Sequence, residues 1–369
     1  MRYRRMPIEI ESPEQLGYDT IAHNLSESSA ADRRLRDLGI DVDVDDLLLC
    51  YGDHLGDPEL REVIGAIDGV APESVLVTPG AAAALFFAAT SSLEAADHAV
   101  VLRTNYATNL ETPRAIGADI EPFDLRFEDG WRLDVDRLRA RVRQDTRLIS
   151  VTYPHNPTGS VIDAPTLHAL VDLAERTAAT LIVDETYRDL AYGERLPLAA
   201  SLSSNVVSVS SMSKTYGVPG LRIGWAVCHD PARFERLLAA KEQAVICGAT
   251  IDEALAARIL AARDRVLPVI LDDVRGRLDI VREWMASQPT FEWIEPRGGV
   301  VGLVRAVPDI DFDAAEFHRA LLQDFGTYVG AGRWFELNDR WFRLGFGWPT
   351  IPHLHAGLDA LSAAATAAT

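Results

Sequence analysis

The residues best suited to covalent chemistry lie between Ser208 and Trp225, in the run SVSSMSKTYGVPGLRIGW. Lys214 stands there just past a strand-like stretch, Asn205 to Ser210, in which Val and Ser alternate, and Gly217, Gly220, Arg222 and Gly224 follow it. Burial at a strand end disfavours the protonated form of a lysine and so favours nucleophilic attack by the neutral amine on a carbonyl. Ser211, Ser213 and Arg222 add two hydroxyl donors and a guanidinium fork, the chemistry that holds a phosphate dianion. An amine beside a phosphate cradle suggests pyridoxal phosphate. Taken alone, the segment also suits an ordinary loop lysine, so the reading depends on the rest of the chain.

Such groups need a rigid frame. From Glu73 onward short apolar strands alternate with amphipathic helices. Strands are predicted at Ser74 to Val77, His98 to Arg103, Asp119 to Phe123, Leu148 to Tyr153, Thr180 to Asp184, Asn205 to Ser210 and Ile223 to Cys228. Helices are predicted near 81 to 93, 107 to 116, 134 to 143, 164 to 177 and 231 to 240. Val- and Ile-rich strands separated by helices predict an α/β fold with a mostly parallel sheet covered by helices on both faces. Ligands bind such sheets at the carboxyl ends of the strands. Gly80 follows one strand and opens the helix AAAALFFAAT, whose N–H groups and positive end can face an anion. Asn156 follows another strand, in YPHNPTGS, where a plain turn residue ahead of proline is the competing reading. Asp184 ends a third, in VDETY, where a helix cap or surface acid competes. Arg343 sits among Trp341, Phe342, Leu344 and Phe346, where an unpaired charge is expensive. Either a substrate carboxylate or a structural ion pair would satisfy it.

Considered together and in order, these motifs resemble those of the class I and II aminotransferases, pyridoxal phosphate enzymes of the aspartate aminotransferase fold type, over nearly the whole chain. SMSKTYGVPGLRIG is similar to the family's lysine motif, with an arginine eight positions past the lysine (222 minus 214). That likeness implies that Lys214 is the Schiff-base lysine and that Ser211, Ser213 and Arg222 hold the phosphate. HNPTG resembles the family's Asn-Pro-Thr-Gly turn, which implies that Asn156 donates to the cofactor's phenolic oxygen and borders the substrate. DETY resembles the segment whose aspartate, here Asp184, pairs with the pyridine nitrogen and whose tyrosine, here Tyr187, also reaches the phenolic oxygen. A carboxylate at that nitrogen keeps it protonated and makes the ring an electron sink. RLGF resembles the C-terminal motif whose arginine, here Arg343, binds the substrate carboxylate. Tyr106, in LRTNYATN, occupies the place of an aromatic ring on the cofactor face. Tyr51, in CYGDHLGDPELRE, resembles the tyrosine that reaches the phosphate of the neighbouring subunit's cofactor, which implies a homodimer with shared active sites. Gly80 departs from members carrying Ser or Thr in the same loop, because Ala81 and Ala82 offer only backbone N–H groups.

With 369 residues, 48% of them hydrophobic, the chain has material for a large core and more than one unit. The expected division is an N-terminal arm (1–45) that joins a small domain, a large cofactor-binding domain (46–285) and a small α+β C-terminal domain (286–369). Within it, Ala30 to Leu38 reads as a short helix, Asp57 caps a helix with Pro58 in its first turn, and 251 to 287 reads as one long helical region. The tail AAATAAT is expected to fray. A formal charge of −19 without a dense Lys/Arg run argues against nucleic acid as a partner. The basic start lacks the apolar stretch of a signal peptide and no apolar run is long enough to span a membrane, so a cytoplasmic protein is expected. Cys50, Cys228 and Cys247 are too few and scattered for a disulfide framework or a zinc site, and no metal is expected.

The resemblance implies an aminotransferase with a small-molecule amino acid and a 2-oxo acid as partners. Lyases, cyclases and amino-acid oxidases share the scaffold and remain alternatives, as does a non-catalytic binding protein with an aminotransferase-like body. No second arginine for a side-chain carboxylate is apparent. Glu27, Asp53 and His54 lie in segments that border the substrate in the family; acids there suit a basic side chain such as that of arginine, or are simply solvated.

Overall fold

The computed structural model describes residues 1–41 and 45–369; residues 42–44, inside the expected arm, lie outside the described residues. The chain opens with two single-turn helices, α1 (Pro7–Ile10) and α2 (Pro13–Leu16), and a short strand β1 (His23–Asn24). The predicted helix at Ala30 to Leu38 does not form, and only a 3-10 turn at Leu35–Leu38 is present. Instead the Ala30 N–H donates to the Lys214 carbonyl and the Arg33 N–H to the Gly217 carbonyl, each at 2.8 Å. Helix α3 (Pro58–Asp68) begins as its signal predicts, with the Asp57 carboxylate accepting from the Leu60 N–H at 2.9 Å.

The alternating region follows as β2 (Val75–Thr78), α4 (Ala81–Ser92), β3 (His98–Arg103), α5 (Ala107–Ile116), β4 (Asp119–Asp124) and α6 (Val135–Arg139). It continues with β5 (Thr146–Thr152), α7 (Ala164–Thr177), β6 (Thr180–Asp184), β7 (Val206–Ser211), β8 (Gly224–Cys228) and α8 (Pro231–Ala244). Helix α6 is shorter than predicted because the chain turns toward β5, where the Thr146 hydroxyl accepts from the Arg143 N–H. These strands form a seven-stranded sheet in the order β2-β8-β7-β6-β5-β3-β4. Its strands pair in parallel except β8, which runs against both β2 and β7. One reversed strand between two others leaves β2 pointing the same way as the rest, so the carboxyl ends of β2, β5, β6 and β7 share one edge.

Period-two alternation sends the strand side chains to two apolar layers. Val75, Val77, Ile149, Val151, Leu181 and Val183 join one core with α3 and α7, while Leu76, Leu148, Ile182, Val207 and Val209 join another with α4 and α8. Each such side chain, fully buried, contributes about 1.5–3 kcal/mol, which is why the sheet is a stiff platform for what its edge carries. The fold is α/β, with a large, mostly parallel sheet covered by helices on both faces.

The long helical region is two helices, α9 (Thr250–Ala261) and α10 (Arg263–Ala286); the ladder breaks at Ala262 (φ −89°, ψ 11°), beyond which Arg263 turns its guanidinium onto Asp189. The chain then makes β9 (Phe291–Trp293), β10 (Val301–Ala306), α11 (Ala314–Gln323), β11 (Thr327–Tyr328), β12 (Gly330–Ala331), β13 (Trp341–Gly345) and α12 (Ile351–Ala368). A four-stranded antiparallel sheet in the order β12-β13-β10-β9 forms here, and β1 pairs in parallel with β11. The tail does not fray: α12 runs to Ala368, with Ala364, Ala365 and Ala368 buried and the Asp313 N–H donating to the Ala368 carbonyl. Small side chains let this helix lie close against its neighbours. Among the described residues no helix is long and apolar enough to cross a membrane.

Candidate active site

At the carboxyl edge of the large sheet, register decides which residues meet. Gly224 pairs with both Thr78 and Ser211, so the loops after β2 and β7 and the loop before β8 rise side by side. Gly80 is the N-cap of α4 at φ 83°, ψ 167°, a conformation open to glycine almost alone. It offers no capping side chain, so the first N–H groups of α4 have no partner within the helix, and Ala81 and Ala82 line the cavity. A Cβ at Gly80 would stand 2.7 Å from Nη2 of Arg222. Arg222 itself has φ 52°; its Nη1 donates to the Pro219 carbonyl at 3.0 Å and reaches the Ser213 hydroxyl at 3.5 Å. A positive helix end, two serine hydroxyls and an exposed guanidinium with no ion pair among the described residues make an anion cradle.

Lys214 lies just beyond β7. Its Nζ donates to the Ser28 hydroxyl at 3.1 Å, and among the described residues it forms no ion pair. Burial holds this amine below the ordinary lysine range, partly offset by the charge of Glu27 and reinforced by Arg343. Lys241 is also buried, but its Nζ donates to the His54 carbonyl, away from this cavity. Asp184, the last residue of β6, is buried, and its Oδ1 accepts from the Thr186 hydroxyl (2.7 Å) and N–H (3.1 Å). Burial pushes its carboxyl up and the Thr186 bonds pull the other way. The Tyr187 hydroxyl donates to the Ser28 carbonyl at 2.7 Å, and burial raises its pKa, so the phenol stays protonated. Its single proton is therefore engaged, and a bond from Tyr187 to another oxygen requires that proton to turn.

Arg343 enters from the other sheet, in β13, where it pairs with Leu303 and Gly330. It is 4% exposed, donates to Asn156 Oδ1 at 3.1 Å and to the Ser26 carbonyl at 2.5 Å, and lies 5.2 Å from the centre of the Phe335 ring. Its Nε has no partner, and among the described residues no carboxylate pairs with it, so the structural ion pair of the competing reading is absent. A buried guanidinium with a free N–H calls for an acceptor.

One cavity of about 500 Å3 is lined by Ala81, Ala82, Tyr106, Asn156, Asp184, Tyr187, Ser211, Ser213, Lys214, Arg222 and Arg343. Of the residues predicted from sequence, Gly80 borders it through Arg222, whereas Tyr51 does not line it and is 83% exposed. Asp53 and His54 also point elsewhere: the Asp53 carboxylate accepts from the Leu55 N–H and His54 Nδ1 lies 2.6 Å from Glu242. Glu27 does line the cavity. Sequence reasoning missed Ser28, Tyr18, Thr186, Trp334 and Trp348, of which only Thr186 left a local signal, as a hydroxyl two residues past a strand-end aspartate.

The chain matches the family model for aminotransferase class I and II over residues 32–359. It belongs to that family. Pyridoxal phosphate is the family's cofactor, and the site fits it: an uncapped helix start with serines and an arginine for phosphate, a half-buried amine that forms no ion pair among the described residues, and a buried carboxylate in the same cavity. Among relatives, the chain is 33% identical over 324 residues (87% of this chain, 82% of the other) to capreomycidine synthase of Streptomyces vinaceus. It is 29% identical over 298 residues (77% and 74%) to arginine-pyruvate transaminase of Pseudomonas aeruginosa. A solved structure of the PLP-dependent cyclase OrfR superposes with a TM-score of 0.89 at 27% identity, covering 100% of this chain and 98% of that one.

Proposed function

We propose that this enzyme is an aminotransferase that takes the amino group of an amino acid and passes it to a 2-oxo acid, working as a homodimer. The observation that carries the reading is the meeting, in one cavity, of a half-buried lysine amine without an ion pair, a buried carboxylate, and a buried arginine whose Nε is unpartnered. When bound, pyridoxal phosphate supplies an electron sink for negative charge at the substrate's α-carbon. In this reading Arg222, Ser211, Ser213 and the N–H groups of Ala81 and Ala82 hold the phosphate, with Gly80 keeping their space open. Asp184 holds a proton at the ring nitrogen, Tyr106 lies on the ring face, and Asn156 and Tyr187 hold the phenolic oxygen. Arg343 takes the α-carboxylate as a fork. Lys214 carries the cofactor and then moves the α-proton, a task that suits an amine whose charged form burial disfavours. Tyr51, on an exposed stretch, serves the phosphate of a second copy.

The test begins with absorbance of the purified protein and borohydride reduction followed by peptide mapping, with the label expected on Lys214. A label on another lysine overturns the assignment. Turnover is then measured with an amino-acid panel that includes arginine, with and without pyruvate, in air and without oxygen. Product that requires the acceptor and ignores oxygen supports transamination. One finding favours a second reading, a cyclase: by their names, the structural neighbour at TM-score 0.89 is a cyclase and the relative at 33% identity is a synthase. There the same proton abstraction would be followed by loss of a leaving group farther along the substrate, and a nucleophile of the same molecule would close the ring at the carbon that the group left. A cyclic product formed without any acceptor or oxygen decides for it, an open-chain elimination product under the same conditions decides for a lyase, and product that needs oxygen alone decides for an oxidase.

A further inference from the structure

The cavity carries more negative charge than the proposed contacts use. Glu14, Glu27 and Asp32 line it together with the rings of Tyr18 and Trp348. Asp32 accepts from the Trp348 Nε1 at 2.9 Å and Glu27 from the Tyr18 hydroxyl at 3.3 Å, yet among the described residues none of the three acids forms an ion pair. Glu27 is the costly one, half-buried and facing Lys214 and Arg343. Burial pushes its carboxyl up, the charge of Lys214 draws it down, and Glu14 raises it again. In the proposed function Arg222 and Arg343 are committed to the phosphate and the α-carboxylate, and Lys214 to the cofactor. Glu27 and Glu14 are then left facing the cavity with no cation of the chain committed to them.

A second observation points to the ligand. Arg343, 4% exposed, lines the same cavity and keeps an Nε without a hydrogen-bond partner, so its guanidinium has donor capacity left for a carboxylate. A ligand that answers both ends carries a carboxylate and, apart from its α-amine, a cation. The aromatic pair narrows the cation. Tyr18 and Trp348 stack with centroids 6.1 Å apart and planes 18° from parallel, and a planar guanidinium suits both carboxylate forks and ring faces better than a compact ammonium.

We propose that the substrate is an amino acid whose side chain ends in a guanidinium, received by Glu27 and Glu14 beside the Tyr18 and Trp348 rings. The proposal rests on the reading of the site given above. It is tested by calorimetric binding to the cofactor-loaded protein, and to the protein without cofactor, of δ-guanidinovalerate and its neutral isostere δ-ureidovalerate. Neither has an α-amine, so neither can be turned over. The guanidino acid is expected to bind roughly ten- to a hundredfold tighter, the range of a charge-assisted hydrogen-bond pair. In Glu27→Gln that preference should shrink at least tenfold or vanish, and Glu14→Gln, in a solvent-exposed single-turn helix, should reduce it without threatening the fold. Equal binding of the two acids by the wild type overturns the proposal, as does a preference retained in both variants or tighter binding of δ-aminovalerate than of the guanidino acid. Failure of the borohydride label to appear on Lys214 would instead strike the function proposed above, so the two failures are distinguishable.

Discussion

Gly80→Ala is a one-carbon change whose effect can be worked out from the site. At φ 83° and ψ 167° the residue occupies a region that costs a side-chain-bearing residue about 1–3 kcal/mol. The added Cβ would also stand 2.7 Å from Nη2 and 3.3 Å from Cζ of Arg222, below normal contact, so either the guanidinium or the loop must shift. Both movements act on the same ligand group, because the loop carries the N–H groups of Ala81 and Ala82 while Arg222 supplies the fork. Losing one charge-assisted contact removes about 1.5–3 kcal/mol, which is roughly ten- to 150-fold in affinity. The assay is titration of the cofactor-free variant with pyridoxal phosphate, followed by absorbance, alongside pyridoxal, which lacks the phosphate. The ratio of the two dissociation constants isolates the cradle from any general loosening of the fold. We expect the variant's preference for the phosphorylated form to fall at least tenfold while pyridoxal binds much as before. A ratio within about twofold of wild type would refute the argument and move the phosphate away from the start of α4.

Three further outcomes follow from the same geometry. Arg343→Lys keeps a charge but loses the fork and the free Nε, so KM for amino acids should rise roughly ten- to a hundredfold while KM for amines lacking a carboxylate changes little; an unchanged preference assigns Arg343 to structure. Asp184→Ala should retain cofactor but slow exchange of the substrate α-proton in heavy water by roughly a hundred- to a thousandfold, and near-normal exchange would place another acid at the ring. Glu185 is buried 3.6 Å from the Arg188 guanidinium, and burial pushes its carboxyl from 4.5 up to about 7 despite that neighbour. The folded protein thus holds a proton that the unfolded chain releases, and stability falls as pH rises through that window, by at most about 3 kcal/mol. Glu185→Gln lacks this component, so its Tm relative to wild type should climb between about pH 5 and pH 8; a difference that does not vary with pH would refute the assignment.

What was legible in the sequence was local. Asp184, Gly80 and Lys214 each sit where a strand ends, and strand ends follow from apolar runs of a few residues and the small or polar residues after them. Tyr51 shows the other side of that rule: at 83% exposure its environment is not supplied by its own chain, and only the family resemblance gave it a role. The alanine tail misled because low complexity was read as absence of packing, whereas alanines in α12 are buried through closeness of approach.

The larger omission was the pair Ser26 and Ser28, which no pattern in the arm announces. Its contacts span the chain: Ser26 takes a bond from Arg343, the Ser28 carbonyl takes one from Tyr187, and the Ser28 hydroxyl takes one from Lys214. A segment that touches the proposed carboxylate arginine, the phenol and the amine must be seated before the site has its shape, and the seat lies in the lysine loop itself. Gly217 has φ 63°, and any side chain there would collide with the carbonyl of Ala31, against which the loop packs. This glycine is what lets residues 30–33 lie on the loop and donate to the Lys214 and Gly217 carbonyls. The bonds that hold residues 30–33 on the lysine loop, where a helix was expected, are therefore the ones that bring Glu27 and Ser28 to the amine. The arm gives up local helical bonding, worth little for so short a segment, and the cavity gains the wall that carries Glu27 and Ser28.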